Sequence, residues 1–226
     1  MWAWTRLART SAQSGPSRST RRLRWPEVVV AQTPNRVRCL FKSNRRGVIL
    51  QLSRRVPEVQ VTFWADGEYG VQPSLTDETV REAERVLGVA LPSALLDLLR
   101  VQNGGVVAAD HDAFPTSQPT SWSHDHVPFD ALMGIGGLEG MTSLLDTPYL
   151  VKEWGLSSPI VLLSGDGHCW IGLDYRCCGP DGDPSVTWFD IELDTELTLA
   201  SDFRTFVENL TAASGFDLDS GDSASN

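Results

Sequence analysis

The run LGVALPSALLDLLRVQNGG, from Leu87 to Gly105, constrains this chain more than any other stretch, because its breakers and its apolar residues agree on one local structure. Gly88 can close a helix, Pro92 can open the next in its first turn, and Asn103-Gly104-Gly105 can end that helix in left-handed backbone geometry. Between those marks Leu95, Leu96, Leu98 and Leu99 form a broad apolar face. The double glycine then lets the chain reverse into a strand without a Cβ penalty. The spacing predicts helix, turn, helix, strand.

The flanking sequence extends this pattern. A first helix is predicted over Asp77–Leu87, with Thr76 as N-cap, Asp77 and Glu78 in the first turn, and Val80, Ala83 and Leu87 on one face. The second runs from about Pro92 to Gln102. After the double glycine, Val106 to Ala108 predicts a strand, and Asp110 to Asp130 is polar, contains prolines and histidines, and predicts a long loop of the kind often tied to function or mobility. Met133–Ile135 predicts a short strand, and Leu138–Trp154 a helical region interrupted near Pro148. Three further strands are predicted over Ile160–Leu163, Cys169–Tyr175 and Val186–Ile191, then a closing helix over Ser201–Leu210 with Phe203, Phe206 and Leu210 on one face. Helices, then antiparallel strands, then a helix indicate an α+β fold, a mostly antiparallel sheet with helices packed on it. No strand-helix alternation supports a nucleotide-binding parallel sheet.

The order of these signals resembles the SUKH superfamily, which includes the Smi/Knr-type cell-wall assembly regulator and many bacterial immunity proteins. The resemblance rests on Leu87-Gly88, Leu91-Pro92 and Asn103-Gly104-Gly105. Upstream, Phe63-Trp64 and Glu68-Tyr69 resemble the family's aromatic residues before the first helix. Downstream, Ser157 to Leu162 with Gly165-Asp166-Gly167 resembles its central strand and glycine turn, Gly172-Leu173-Asp174 a further strand, and Phe203 with Phe206 its closing helix. The resemblance covers about Phe63 to Leu210. It implies a single SUKH-like domain, placed here at residues 61–213, and a role in binding other proteins.

Charge divides the chain near residue 60. Residues 1–60 carry 13 Arg and Lys against Glu27 and Glu58, a formal +11, while the remainder stands at −21 and the whole at −10. The leader, rich in Arg, Ser, Thr and Pro, has no sustained period and is expected to be disordered. It fits a basic tail that binds acidic surfaces, a segment folding against the acidic domain, or translated upstream sequence from a misplaced start. The last is favoured because the resemblance begins only near Phe63, with Val48 or Val56 as alternative starts. Residues 214–226, acidic and small, are expected to form a disordered tail.

An acidic domain repels nucleic acid and anionic membranes and speeds encounter with basic partners; the same charge also serves plain solubility. No stretch approaches the roughly 20 apolar residues that span a bilayer, and the N-terminus lacks a secretory apolar core. Cys39, Cys169, Cys177 and Cys178 fit no paired metal spacing, and reduced thiols in a cytoplasmic protein are the simpler reading.

Chemistry has few footholds. Asp110-His111-Asp112 with His124-Asp125-His126 supplies ligand types but no motif that fixes their geometry, so solvated loop polarity is preferred to a metal site. His168 and Cys169, adjacent on a strand, point to opposite faces and cannot cooperate as base and nucleophile. Gly134-Ile135-Gly136-Gly137 lacks the lysine of a phosphate loop. The expectation is therefore a protein without catalytic residues, metal or cofactor, binding neither nucleic acid nor membrane. The resemblance implies an immunity protein that neutralises a cognate toxin domain, basic and possessing, for instance, nuclease activity. Loop position and charge nominate Asp110, Asp112, Trp122, Asp125, Asp130, Asp181 and Asp183 as partner contacts. The alternative is an intracellular scaffold or regulator of the cell-wall assembly regulator type; a metal-dependent hydrolase is a third and weaker one.

Overall fold

The computed structural model describes residues 63–216; the basic leader and residues 217–226 lie outside it. Helix α1 spans Asp77–Leu87, and Thr76 starts it through a reciprocal cap. The Thr79 N–H donates to the Thr76 hydroxyl at 3.2 Å, and the Thr76 N–H donates to the Thr79 hydroxyl at 2.9 Å. Gly88 ends the helix at φ 73°. Helix α2 spans Ser93–Val101, with Pro92 one position ahead of it, and buries Leu95, Leu98 and Leu99.

The segment after α2 is held by a side chain. Asn103, 3% exposed, donates through Nδ2 to the carbonyls of Pro73 (2.6 Å) and Ile135 (2.8 Å), and its Oδ1 accepts from the Ile135 N–H at 2.8 Å. Its own carbonyl accepts from the Gln72 N–H at 2.8 Å. Gly104, at φ 87°, lies against the backbone of Gly134 so closely that a Cβ would collide with it.

Strand β1 (Gly105–Val106) pairs antiparallel with β4 (Ala131–Leu132). Between them β2 (Ala113–Pro115) pairs antiparallel with β3 (His126–Pro128). A 3-10 turn at Leu144–Asp146 leads into α3, Thr147–Glu153. The main sheet is an antiparallel meander of β5 (Ile160–Gly165), β6 (Cys169–Asp174), β7 (Ser185–Asp190) and β8 (Thr195–Ala200), in that order. Helix α4, Phe203–Glu208, follows.

Both faces of this sheet are covered. Val161, Leu163, Ile171 and Leu173 pack with Leu95 and Leu99 of α2 and with Phe203 and Phe206 of α4. Ile160, Leu162, Trp170 and Phe189 pack with Val151 of α3. Strand β5 therefore reads as an apolar run, as a strand covered on both sides must. Tyr175, fully buried, donates its hydroxyl to the Ala90 carbonyl at 2.7 Å and ties the end of β6 to the turn between α1 and α2.

Several expectations change. The predicted loop over Asp110–Asp130 contains the β2–β3 pair, with Phe114 and Val127 buried opposite each other. The strand expected over Met133–Ile135 is not formed there; a two-residue strand, Ala131–Leu132, lies just before it. Leu138–Ser143 is not helical, and Pro148 lies in the first turn of α3 instead of interrupting a helix. β8 was not anticipated. Cys169 and Cys178 are free thiols; Cys39 lies outside the described residues. At the C-terminal side, Thr211 bridges to Ala113 and the Phe216 ring stacks on His126, so folded contacts run to Phe216.

Asn103→Ala leaves the Ile135 N–H and two carbonyls without their partner, and is expected to cost roughly 3 kcal/mol or more in urea unfolding. An unchanged midpoint would show that the three segments hold together without it. Asp202 caps α4. Burial works against its carboxylate, but hydrogen bonds from the Thr205 N–H (2.8 Å), the Thr205 hydroxyl (2.8 Å) and Ser201 outweigh that and hold it below the usual carboxylate range. A lowered native pKa gives stability that is present above the unfolded value of about 3.9 and lost as pH falls through the native value. Asp202→Ala is expected to cost about 1 kcal/mol at pH 7, and the gap to the parent should close in acid, where both lack the carboxylate. A constant gap across that range would remove the ionised cap.

Candidate partner-binding surface

One end of the main sheet gathers three turns. Between β5 and β6, Asp166 Oδ1 accepts from the N–H groups of His168 (2.9 Å) and Cys169 (3.1 Å). Gly167, at φ 101°, passes beneath the Trp154 indole, where a Cβ would stand 2.8 Å from the ring. Between β7 and β8, Asp190 Oδ1 accepts from the Leu193 N–H at 2.9 Å, and Asp194 completes the turn at φ 50°, a geometry that aspartate tolerates. The two turns are joined by the His168 Nδ1 to Glu192 Oε1 contact at 2.8 Å and by the Ile191 N–H donating to the His168 carbonyl at 2.9 Å.

The third turn belongs to the β2–β3 connection. The Thr120 hydroxyl accepts from the N–H groups of Trp122 (3.2 Å) and Ser123 (3.3 Å), which fixes the tip and leaves the Trp122 side chain 54% exposed. Ser121 Oγ lies 3.8 Å from Cys169 Sγ, so this tip rests beside the start of β6. Leu193, 60% exposed, is the second large apolar side chain at this end.

The residues nominated from sequence do not form one site. Trp122 and Asp125 lie on the β2–β3 connection. The His126 imidazole first, and then the Ser123 hydroxyl, hold the Asp125 carboxylate below the usual range. Asp110 and Asp130 are exposed nearby in sequence, before β2 and between β3 and β4. Asp112 Oδ1 accepts from the Ala213 N–H at 2.7 Å and so fastens the chain after α4 to the β2 side. Asp181 and Asp183 stand at the opposite end of β6 and β7, roughly 20 Å of strand away from Trp122. Their loop touches the turn between α1 and α2, where the Ala90 N–H donates to Pro180.

The arrangement has little reactive character. Burial first, and the Asp190, Asp166 and Glu192 carboxylates after it, push the Cys169 thiol up to about 11, so it is protonated at neutral pH. His111 stacks on Phe63 and His126 on Phe216, which makes both imidazoles part of ring packing. Among the described residues no group of three or more His, Cys, Asp or Glu side chains converges to hold a metal ion, and no helix is long and apolar enough to cross a membrane.

Sequence reasoning missed the β7–β8 turn. Its signal was present in Asp190-Ile191-Glu192-Leu193-Asp194, where acids alternate with apolar residues in a stretch that has no Lys or Arg between Arg176 and Arg204. A comparison with curated proteins gives no significant match. Residues 74–209, which run from just before α1 through α4, match the SMI1 / KNR4 family (SUKH-1), and the chain belongs to that family.

Proposed function

We propose that this protein is a cytoplasmic immunity protein of a bacterial polymorphic toxin system, which binds a cognate, basic toxin domain and blocks it without catalysis of its own. The observation that carries this reading is the charge of the folded domain. Residues 63–216 hold 24 Asp and Glu against six Lys and Arg. Three of those cations, Arg85, Arg100 and Arg176, are already paired with the domain's own carboxylates. A nuclease-type toxin presents a basic surface to its substrate, and an acidic protein can occupy that surface, with charge setting the encounter rate and an apolar anchor such as Trp122 prolonging the contact.

Family membership supports a protein-binding role and fits equally the scaffold or regulatory reading that the cell-wall assembly regulator exemplifies. Growth separates the two. The full chain is expressed in cells that also carry the toxin-like domain encoded beside it. Rescue, together with a complex weakened by salt, is the expected result; healthy expression with neither rescue nor binding would shift the reading to the scaffold.

Among the described residues Asp110, Asp130, Asp181 and Asp183 have no side-chain hydrogen-bond or ion-pair partner, so replacing them together with Asn should leave the unfolding midpoint nearly unchanged. Association at low salt should slow by about tenfold or more, and the difference should shrink as salt is raised. Identical association rates at low salt would remove electrostatic steering by these carboxylates.

A further inference from the structure

The two edges of the main sheet differ. On the β5 side the backbone is covered: the Leu162 N–H donates to the Thr147 hydroxyl at 3.2 Å, and the Leu163 carbonyl accepts from the Met133 N–H at 2.8 Å. On the other side β8 pairs with β7, and among the described residues no backbone hydrogen bond reaches its outer edge. Alternate residues of an edge strand turn their N–H and carbonyl away from the neighbour they pair with. The outer edge of β8 is therefore a row of donors and acceptors at the spacing that another strand requires.

Sheet edges are usually blunted by lysine, by proline or by being very short. β8, with the sequence TELTLA over Thr195–Ala200, has six residues and neither Lys nor Pro. Thr195 to Thr198 pair with Asp190 to Thr187 in unbroken register, and the bulge falls beyond them at Leu199. Thr195, Glu196 and Thr198 are exposed. Leu197 lies opposite Trp188 and, with Leu199, packs on the larger core, whereas Glu196 lies opposite Phe189 on the other face. A strand added along β8 extends both faces, with apolar side chains beside Leu197 and the alternate ones beside Glu196 and Thr198.

Charge decides the occupant. The chain has no Lys or Arg between Arg176 and Arg204, while Glu192, Asp194, Glu196 and Asp202 stand on β8 or next to it. Arg176 holds Glu196, and the stretch remains net negative. A second copy of the domain would bring the same acids to this edge and is repelled; a basic segment is attracted. From this juxtaposition we infer that the outer edge of β8 accepts an extended segment of the protein partner, alternating basic and apolar residues, as a further strand of the sheet. The inference rests on the immunity reading for the identity of that partner, but not for the chemistry of the edge.

Two measurements on the full chain test it. The first titrates the hexapeptide acetyl-Val-Arg-Val-Arg-Val-Arg-amide while backbone amide signals are followed by NMR. Two controls are the same peptide with alternate amides N-methylated, which keeps its charge but removes its donors, and the peptide with Glu in place of Arg. Saturable shifts confined to residues 195–200 and the facing residues of β7, at least about tenfold weaker for both controls, are expected. Equal binding by the N-methylated peptide, or no shifts at β8, would overturn the inference whatever the partner does.

The second measures hydrogen exchange in the complex with the toxin domain. The amides of Thr195–Ala200 are expected to exchange at least about tenfold more slowly there than in the free chain. Thr198→Lys, which restores an edge lysine at an exposed position, should weaken the complex by about tenfold with an unchanged unfolding midpoint. A tight complex without slowed exchange at β8 would overturn the inference while leaving the immunity reading intact. A free chain that dimerises, and that Thr198→Lys returns to a monomer, would give the edge to a second copy and overturn it as well. Peptide binding at β8 without any complex would overturn the immunity reading and leave β8 as a strand acceptor.

Discussion

The side chain of Asn103 is the constraint on which the rest of the domain depends. It holds Pro73, which precedes α1, and Ile135, which follows β4, to the end of α2, and it does so with all three of its side-chain bonds made to backbone. The contact is possible only because Gly104 and Gly134 let the two backbones touch. Next to Ile135, the Met133 N–H donates to the Leu163 carbonyl of β5, so the amide junction passes directly into the main sheet. Helices and sheet thus share one fixed point, and the turns that follow β5 and β7 are carried on a rigid frame. That is the arrangement in which loop side chains keep a defined geometry for a partner.

What could be read from the sequence follows from the range of the interactions involved. The cap at Thr76, the stop at Gly88 and the leucine face of α2 are local, and they lie where the spacing put them. The β2–β3 pair was invisible because its strands are three residues long and only their pairing gives them a shape. β8 was missed for a related reason. It is an edge strand with mostly exposed residues, and only the alternation of Leu197 and Leu199 with Glu196 and Thr198 hints at it. Asn103 was legible as a turn residue but not as a junction, since its partners lie 30 and 32 positions away.

The same distinction applies to the surface. Trp122 stood out because a large aromatic residue in a polar stretch is locally odd, and it is exposed. The β7–β8 turn did not stand out, because its interest comes from what β6 and α3 bring beside it: the His168 contact to Glu192, the Cys169 neighbour of Asp190, and the Trp154 wall. The glycines of Gly165-Asp166-Gly167, which looked like hairpin residues alone, also make room for aromatic rings. A side chain at Gly165 would meet Trp170, and one at Gly167 would meet Trp154.

Net charge by itself is a poor map of an interface, because many of these carboxylates are committed to the fold. Asp112 fastens Ala213, Asp146 accepts from Ser143, Asp166 and Asp202 organise turns and caps, Asp174 holds Arg176, and Glu84 accepts from the Leu91 N–H between α1 and α2. Such groups still add to the long-range field, but their hydrogen bonds are spoken for at short range. Among the described residues the exposed carboxylates without a local donor are Asp66, Glu68, Glu78, Asp110, Asp130, Glu139, Glu153, Asp181, Asp183, Asp194 and Glu208. They are spread over the domain and mark no single face, so a specific contact has to be set by exposed apolar side chains such as Trp122 and Leu193.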